Sequence, residues 1–281
     1  MAVAKALLSA VATPRGAPAA LVLASVVVAA LLADHLAPYA YDAQNLMRAN
    51  LPPSADHLLG TDEFGRDLFS RILYGARISL GVAVTSIGAS VAIGLVVGAI
   101  AGYAGGWVDR ILMAMVDLTW AFPEILIALV LIAVLGPGLG STAVAITVGY
   151  MAQFARLARS QIVALKGETY VEATVGLGAG HVHLLMRHLV PNALTPVLVA
   201  GMLATGDAIV LEATLGYFGL GAQPPLPSWG AMMSSGVGQM FLAPWVIVFP
   251  GLAIAVTVVA INLFGDALID ALQIRNRLRE G

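Results

Sequence analysis

Four carboxylates stand inside long apolar runs, and they are the first candidates for chemistry. Asp117 and Glu124 fall within residues 111–135, seven positions apart, so on one helix they share a face, with Pro123 allowing a kink. Asp207 and Glu212 fall toward the far end of residues 193–215. A carboxylate in hydrocarbon is expensive and normally faces a cavity or a partner. These four are therefore candidates for a solute pathway or for proton sites, with an ion pair to an arginine near the inner interface as the other reading of Asp117. A further group, Asp62, Arg66 and Asp67, has residue types suited to catalysis or metal binding. No histidine is correctly spaced with them, so they are expected to cap and pin a loop instead.

Several chemistries are excluded by what is missing. The chain has no cysteine, so neither a disulfide framework nor a thiolate metal site is available. H-E-x-x-H does not occur, and Gly265-Asp266 does not sit in a G-x-G-D pattern because Leu263 holds the other glycine's place. No metal site and no catalytic residue are assigned. The only lysines, Lys5 and Lys166, lie outside any G-x-x-x-x-G-K-[ST] loop, so no cofactor is expected on this chain and any ATP must be hydrolysed by another polypeptide. A net charge of −2 gives no electrostatic footprint for nucleic acid.

The elements that would position these residues are set by composition. Of 281 residues, 59% are hydrophobic and 11% charged, against about 25% charged in a soluble domain. Uncharged or nearly uncharged runs at 17–33, 78–101, 111–135, 142–165, 193–215 and 244–264 predict an all-α polytopic membrane protein with six transmembrane helices. The first run is too long for a signal-peptide core and lacks a clean small-x-small site before Asp34, so it reads as an uncleaved span. Gly94, Gly98 and Gly102 form a ridge of small residues suited to close helix packing in lipid. Residues 219–230 hold too many glycines and prolines for a regular span. With both termini cytoplasmic, ten of the fourteen basic residues face inward, as the positive-inside rule favours. The exceptions are Arg48, Arg66, Arg71 and Arg77 in the first outer segment, some of them expected to pair with its acids.

One polar stretch, residues 166–192, interrupts the apolar C-terminal two-thirds. Thr169 and Glu172 have the spacing of a capping box, and Gly176, Gly178 and Gly180 offer places for a positive φ. A second helix over 181–189 places Val182, Leu184, Leu185 and Leu189 at helical spacing, and Pro191 is expected to close the unit. A water-facing helix-turn-helix with an apolar ridge and a polar rim suits a docking element.

Three blocks carry a resemblance to a known family. Tyr170-Val171-Glu172-Ala173, Gly178-Ala179 and Arg187-His188 with Pro191-Asn192 resemble the EAA coupling loop of bacterial ABC-importer permeases, with Thr174 departing from its third position. Residues 58–80 and the segment Gly219-Leu220-Gly221-Ala222-Gln223-Pro224-Pro225 running to Trp229-Gly230 resemble the branch that imports dipeptides, oligopeptides, nickel and similar solutes, and within it the second of two non-identical permeases. The resemblance implies a type I importer permease fold in the bacterial inner membrane. It implies a tail, first span and outer segment over 1–77 and a core permease domain over 78–281. It also implies partners: a homologous second permease, two ATPase subunits using ATP and Mg, an extracytoplasmic solute-binding protein and the lipid bilayer. Tyr170, Glu172, Ala173, Gly178, Ala179, Arg187 and Pro191 become ATPase-coupling candidates. Gln223 and Trp229 join Asp117, Glu124, Asp207 and Glu212 as candidates for the pathway or a gate. The alternative is an ion-coupled secondary transporter using the intramembrane carboxylates.

Overall fold

The computed structural model describes residues 2–280, with side chains over 7–272. The side chains of Lys5, Arg275, Arg277 and Arg279 lie outside the described residues. The chain begins as α1 (Ala2–Val11), where a plain tail was expected. Its alanine-rich sequence favours helix, and Ala10 is buried against Val199, Ala267 and Leu268. Next come α2 (Gly16–Leu31) and the single turn α3 (Ala33–Leu36). Residues 37–67 form a folded outer segment that leads into α4 (Leu68–Ala104). The expected interfacial helix and second span are thus one 37-residue helix.

Pro123 divides the predicted third span into α5 (Gly106–Trp120) and α6 (Glu124–Leu135), which meet at 89°. Beyond a glycine-rich turn runs α7 (Leu139–Lys166), followed by the hairpin helices α8 (Thr169–Gly176) and α9 (His181–Leu184). A π-helical turn over Leu185–Leu189 joins α9 to α10 (Val190–Tyr217), so that residues 181–217 form one continuous rod. The outer segment after it contains the short α11 (Trp229–Gly236), and α12 (Trp245–Glu280) completes the bundle. By length and composition, α4, the rod ending in α10, and α12 suffice to cross a membrane, and α5 with α6 make a fourth candidate. The other two predicted spans correspond to α2, of 16 residues, and α7, which carries Arg156 and Arg159.

The core lies where α4, α7 and α10 meet, around Val82, Ile87, Ile146, Phe154, Val197 and Ile209. The glycine ridge explains the closeness of α4 and α7. A Cβ at Gly98 would fall 2.2 Å from the Ala155 carbonyl oxygen, and one at Gly94 would fall 2.6 Å from Phe154 Cβ. Backbones in such contact gain dispersion and packing in lipid, where hydrophobic drive is absent.

The outer segment is held by buried charge. Asp62 Oδ1 accepts from the Phe64 and Arg66 amides at 2.9 and 3.0 Å, and its Oδ2 accepts from Arg66 Nε at 2.7 Å. Arg71 Nε lies 3.6 Å from the same oxygen. Asp67 Oδ2 accepts from the Ser70 amide at 2.8 Å and caps α4. The loop-pinning expectation for these residues holds. One partner was missed: His57 Nδ1 lies 2.9 Å from Asp67 Oδ1, brought there by the turn at Gly60. Arg77 bridges to Asp34 at 2.9 Å, and its guanidinium, with the Tyr74 hydroxyl, holds that carboxyl below the usual range.

Candidate functional site

The hairpin over 166–192 is built on one turn. Gly178 takes φ +85°, its amide donates to Val175 O at 2.9 Å, and the Ala179 amide donates to Thr174 O at 3.2 Å. These two bonds form a Schellman motif, which needs a left-handed residue where glycine stands. Gly180, at φ −69°, and Gly176, inside the helix, do not share that role. The capping box does not form. Helical geometry starts one residue earlier than the pattern suggests, so Glu168 occupies the cap without a side-chain bond and Thr169 is already helical. Glu172 is left exposed, with no partner among the described residues.

Pro191 likewise corrects an expectation. The helix continues through it, because the preceding π-turn changes the hydrogen-bond ladder where proline lacks a donor and its ring crowds the carbonyl four residues back.

The hairpin is fixed to the bundle at one face and bare at the other. Val171, Leu184 and Leu189 are buried with Ala99, Ile162 and Ala193. Tyr103 pins the joint: its hydroxyl meets His181 Nδ1 at 2.6 Å, and its carbonyl accepts from Lys166 Nζ at 2.9 Å. The Tyr170 hydroxyl accepts from Asn192 Nδ2 at 3.3 Å. On the bare face, Leu177 is 89% exposed and Val182 77%, and Val175 and Met186 are also open. The outward ridge is therefore these residues, whereas Leu184 and Leu189, which share the predicted stripe, are anchors. Glu168, Glu172, Ala173 and Arg187 border the ridge, and Ala179 is half-buried in the turn.

The intramembrane candidates separate. Asp117 is exposed and pairs with Arg156 at 2.6 Å, while Arg156 lies 4.6 Å over the Trp120 ring. Arg159 pairs with Asp109, a contact that sequence reasoning missed although the two arginines stand three apart on one face. These four residues, with Arg110, line a cleft of about 880 Å³. Glu124 does not share a face with Asp117, because the break at Pro123 puts it in the first turn of α6. There it suits the helix dipole, and it borders a cleft of about 370 Å³ with Trp120, Gly149 and Gln153. Tyr150, beside Gly149 on α7, is buried, and Asp207 on α10 is exposed. Glu212 and Trp229 are buried, at 0% and 1% exposed, and Trp229 touches only an apolar cleft between α2, α4 and α12. Trp229 Nε1 donates to Ile72 O at 3.1 Å, and the exposed Gln223 donates to Gly219 O and Gly221 O, stapling its own loop.

A family model described as "Binding-protein-dependent transport system inner membrane component" matches residues 94–278. The chain belongs to that family. The permease is 44% identical over 246 residues to a glutathione transport system permease protein of Pectobacterium atrosepticum, covering 86% of this chain and 81% of that one. It is 39% identical over 252 residues to a dipeptide transport system permease protein of Alkalihalophilus pseudofirmus, covering 90% and 83%. Among solved structures, the inward-facing MetNI methionine ABC transporter has the same fold, with a TM-score of 0.57 at 21% identity over 72% of this chain and 96% of that one. The permease is thus an inner-membrane component of a bacterial ABC importer and not an enzyme. Family membership implies partner ATPases, a second permease and a binding protein in general terms.

Proposed function

We propose that residues 166–192 dock this permease onto an ATP- and Mg-using ATPase, and that its cargo is a short peptide, glutathione included. The observation that carries the docking role is an exposed apolar ridge on a hairpin whose opposite face is anchored to α4 and α7. A rigid lever with an uncovered apolar edge transmits force only when a partner covers that edge. ATP binding would draw two ATPase subunits together and carry the hairpin with them. The bundle, paired with a homologous second permease, would then rock between inward-open and outward-open. The hairpin must contact the ATPase differently in the two states, since a partner of equal affinity for both shifts nothing. Similarity to a glutathione permease and a dipeptide permease supports the cargo class. Glu124, which borders a cleft with Gln153, and the exposed Asp207 are the proposed pathway residues, and Asp117 is proposed to act with Arg156 at the inner end.

The test is coupling. Gly178→Pro and Glu172→Lys should leave insertion intact while separating ATP hydrolysis from peptide uptake in the reconstituted importer. Normal uptake by both variants would overturn the docking role. In a chain without cysteine, Ala179→Cys should be labelled from the cytoplasmic side alone, and labelling from outside would invert the topology.

A further inference from the structure

Glu212 is the largest polar side chain fully buried among the described residues, and no ion pair offsets it. Its carboxyl oxygens lie beside the hydroxyls of Ser79 on α4 and Ser228 at the start of α11, without a hydrogen bond of regular geometry to either. The arrangement around those serines is specific. Ser79 Oγ accepts from the Trp229 amide at 3.3 Å, and Ser228 Oγ accepts from the Ala231 amide at 3.4 Å. Both hydroxyls therefore spend an acceptor site on the first turn of α11, whose amides have no partners inside the helix. Each keeps one O–H to donate, and the Glu212 carboxyl is the acceptor beside both. The same turn is wedged tightly: a Cβ at Gly230 would fall 2.1 Å from Ala213 O on α10.

We propose that Glu212 is a positioning residue for an outer gate, holding α11 in its seat between α4 and α10 by orienting Ser79 and Ser228. This rests on the importer reading above. A carboxyl so placed serves a movable element better than a packed leucine would. With α11 seated, the carboxyl has the Ser79 and Ser228 hydroxyls beside it as donors, and once α11 leaves, water can solvate it, as it could not a leucine at this position. Opening of the outer side would then be a departure of α11 from Glu212, driven from the far end of the bundle through the 181–217 rod, which carries both Glu212 and the second limb of the hairpin.

The experiment uses the reconstituted importer with Met232→Cys, a buried α11 position in a chain without other cysteines. The readout is its labelling rate by a membrane-impermeant maleimide from outside. In this background, labelling should rise when ATP is bound. Glu212→Ala should raise the nucleotide-free rate about tenfold, and Glu212→Gln, which keeps an acceptor oxygen, should stay within about twofold of the parent. If Glu212→Ala does not accumulate, Ser79→Ala carries the test, with an intermediate rate expected. Parent-like labelling of Glu212→Ala or of Ser79→Ala, or a Glu212→Gln rate equal to that of Glu212→Ala, overturns the latch alone. Labelling that never responds to nucleotide in the parent strikes the importer reading and the latch with it.

Discussion

The two ends of this bundle are finished to different degrees. In the outer segment before α4, the buried charges meet internal partners: Asp62 takes Arg66 and Arg71, and Asp67 takes His57 and the first turn of α4. Distant segments are also tied there, Trp245 Nε1 to Thr61 O at 3.1 Å and Asn50 Nδ2 to Gln239 Oε1 at 3.0 Å. At the inner end, the hairpin is anchored by a few apolar side chains and leaves Leu177, Val182 and Met186 uncovered. The lesson is about where a fold is complete. The outer segment pairs its buried charges within itself and is tied to distant segments, whereas the inner hairpin keeps a shape but lacks a surface to cover its apolar ridge.

That contrast can be broken by substitution at either end. Asp62→Ala should do the most damage, because two buried guanidiniums lose their counter-charge; roughly 3–5 kcal/mol of stability should go, read as a lowered Tm of the detergent-solubilised chain. A Tm near the parent's would show that the outer network is not what holds that end. Leu184→Ala should cost roughly 2–5 kcal/mol, toward the lower end because a surface hairpin relaxes, and should release the hairpin to proteolysis without affecting the outer segment. Gly178→Ala places a Cβ at φ +85° and should cost about 1–2 kcal/mol, again local to the hairpin. Leu177→Ser should change stability by less than about 0.5 kcal/mol while weakening association with the ATPase, as judged by co-purification. An equal loss of stability from Leu177→Ser and Leu184→Ala would erase the distinction between bare and anchored faces.

Much of this was legible in the sequence, for physical reasons that differ by region. The glycine ridge announced the α4–α7 contact because only a missing Cβ permits backbones at that distance. Gly178 announced the turn because a left-handed residue needs it, although the pattern could not tell it from Gly176 and Gly180. The capping box failed because a one-residue shift in helix start is invisible to a spacing rule. Pro191 failed because a π-turn can absorb a proline that would otherwise end a helix. The Pro123 break was read as a kink, and so Glu124 was placed beside Asp117; a sharp bend depends on what α6 packs against, not on the proline alone. His57 joined Asp67 through a loop path that no local spacing encodes.

The central claim is that the bare ridge belongs to a nucleotide-driven partner. The direct measurement places a photo-crosslinking amino acid at Leu177 in the assembled importer, with the same probe at Leu58 on the outer segment as the comparison. The expected result is a covalent product between Leu177 and the ATPase subunit whose yield changes when ATP is added, with none from Leu58. A Leu177 probe that never captures the ATPase, in an importer that still takes up peptide, would contradict the account.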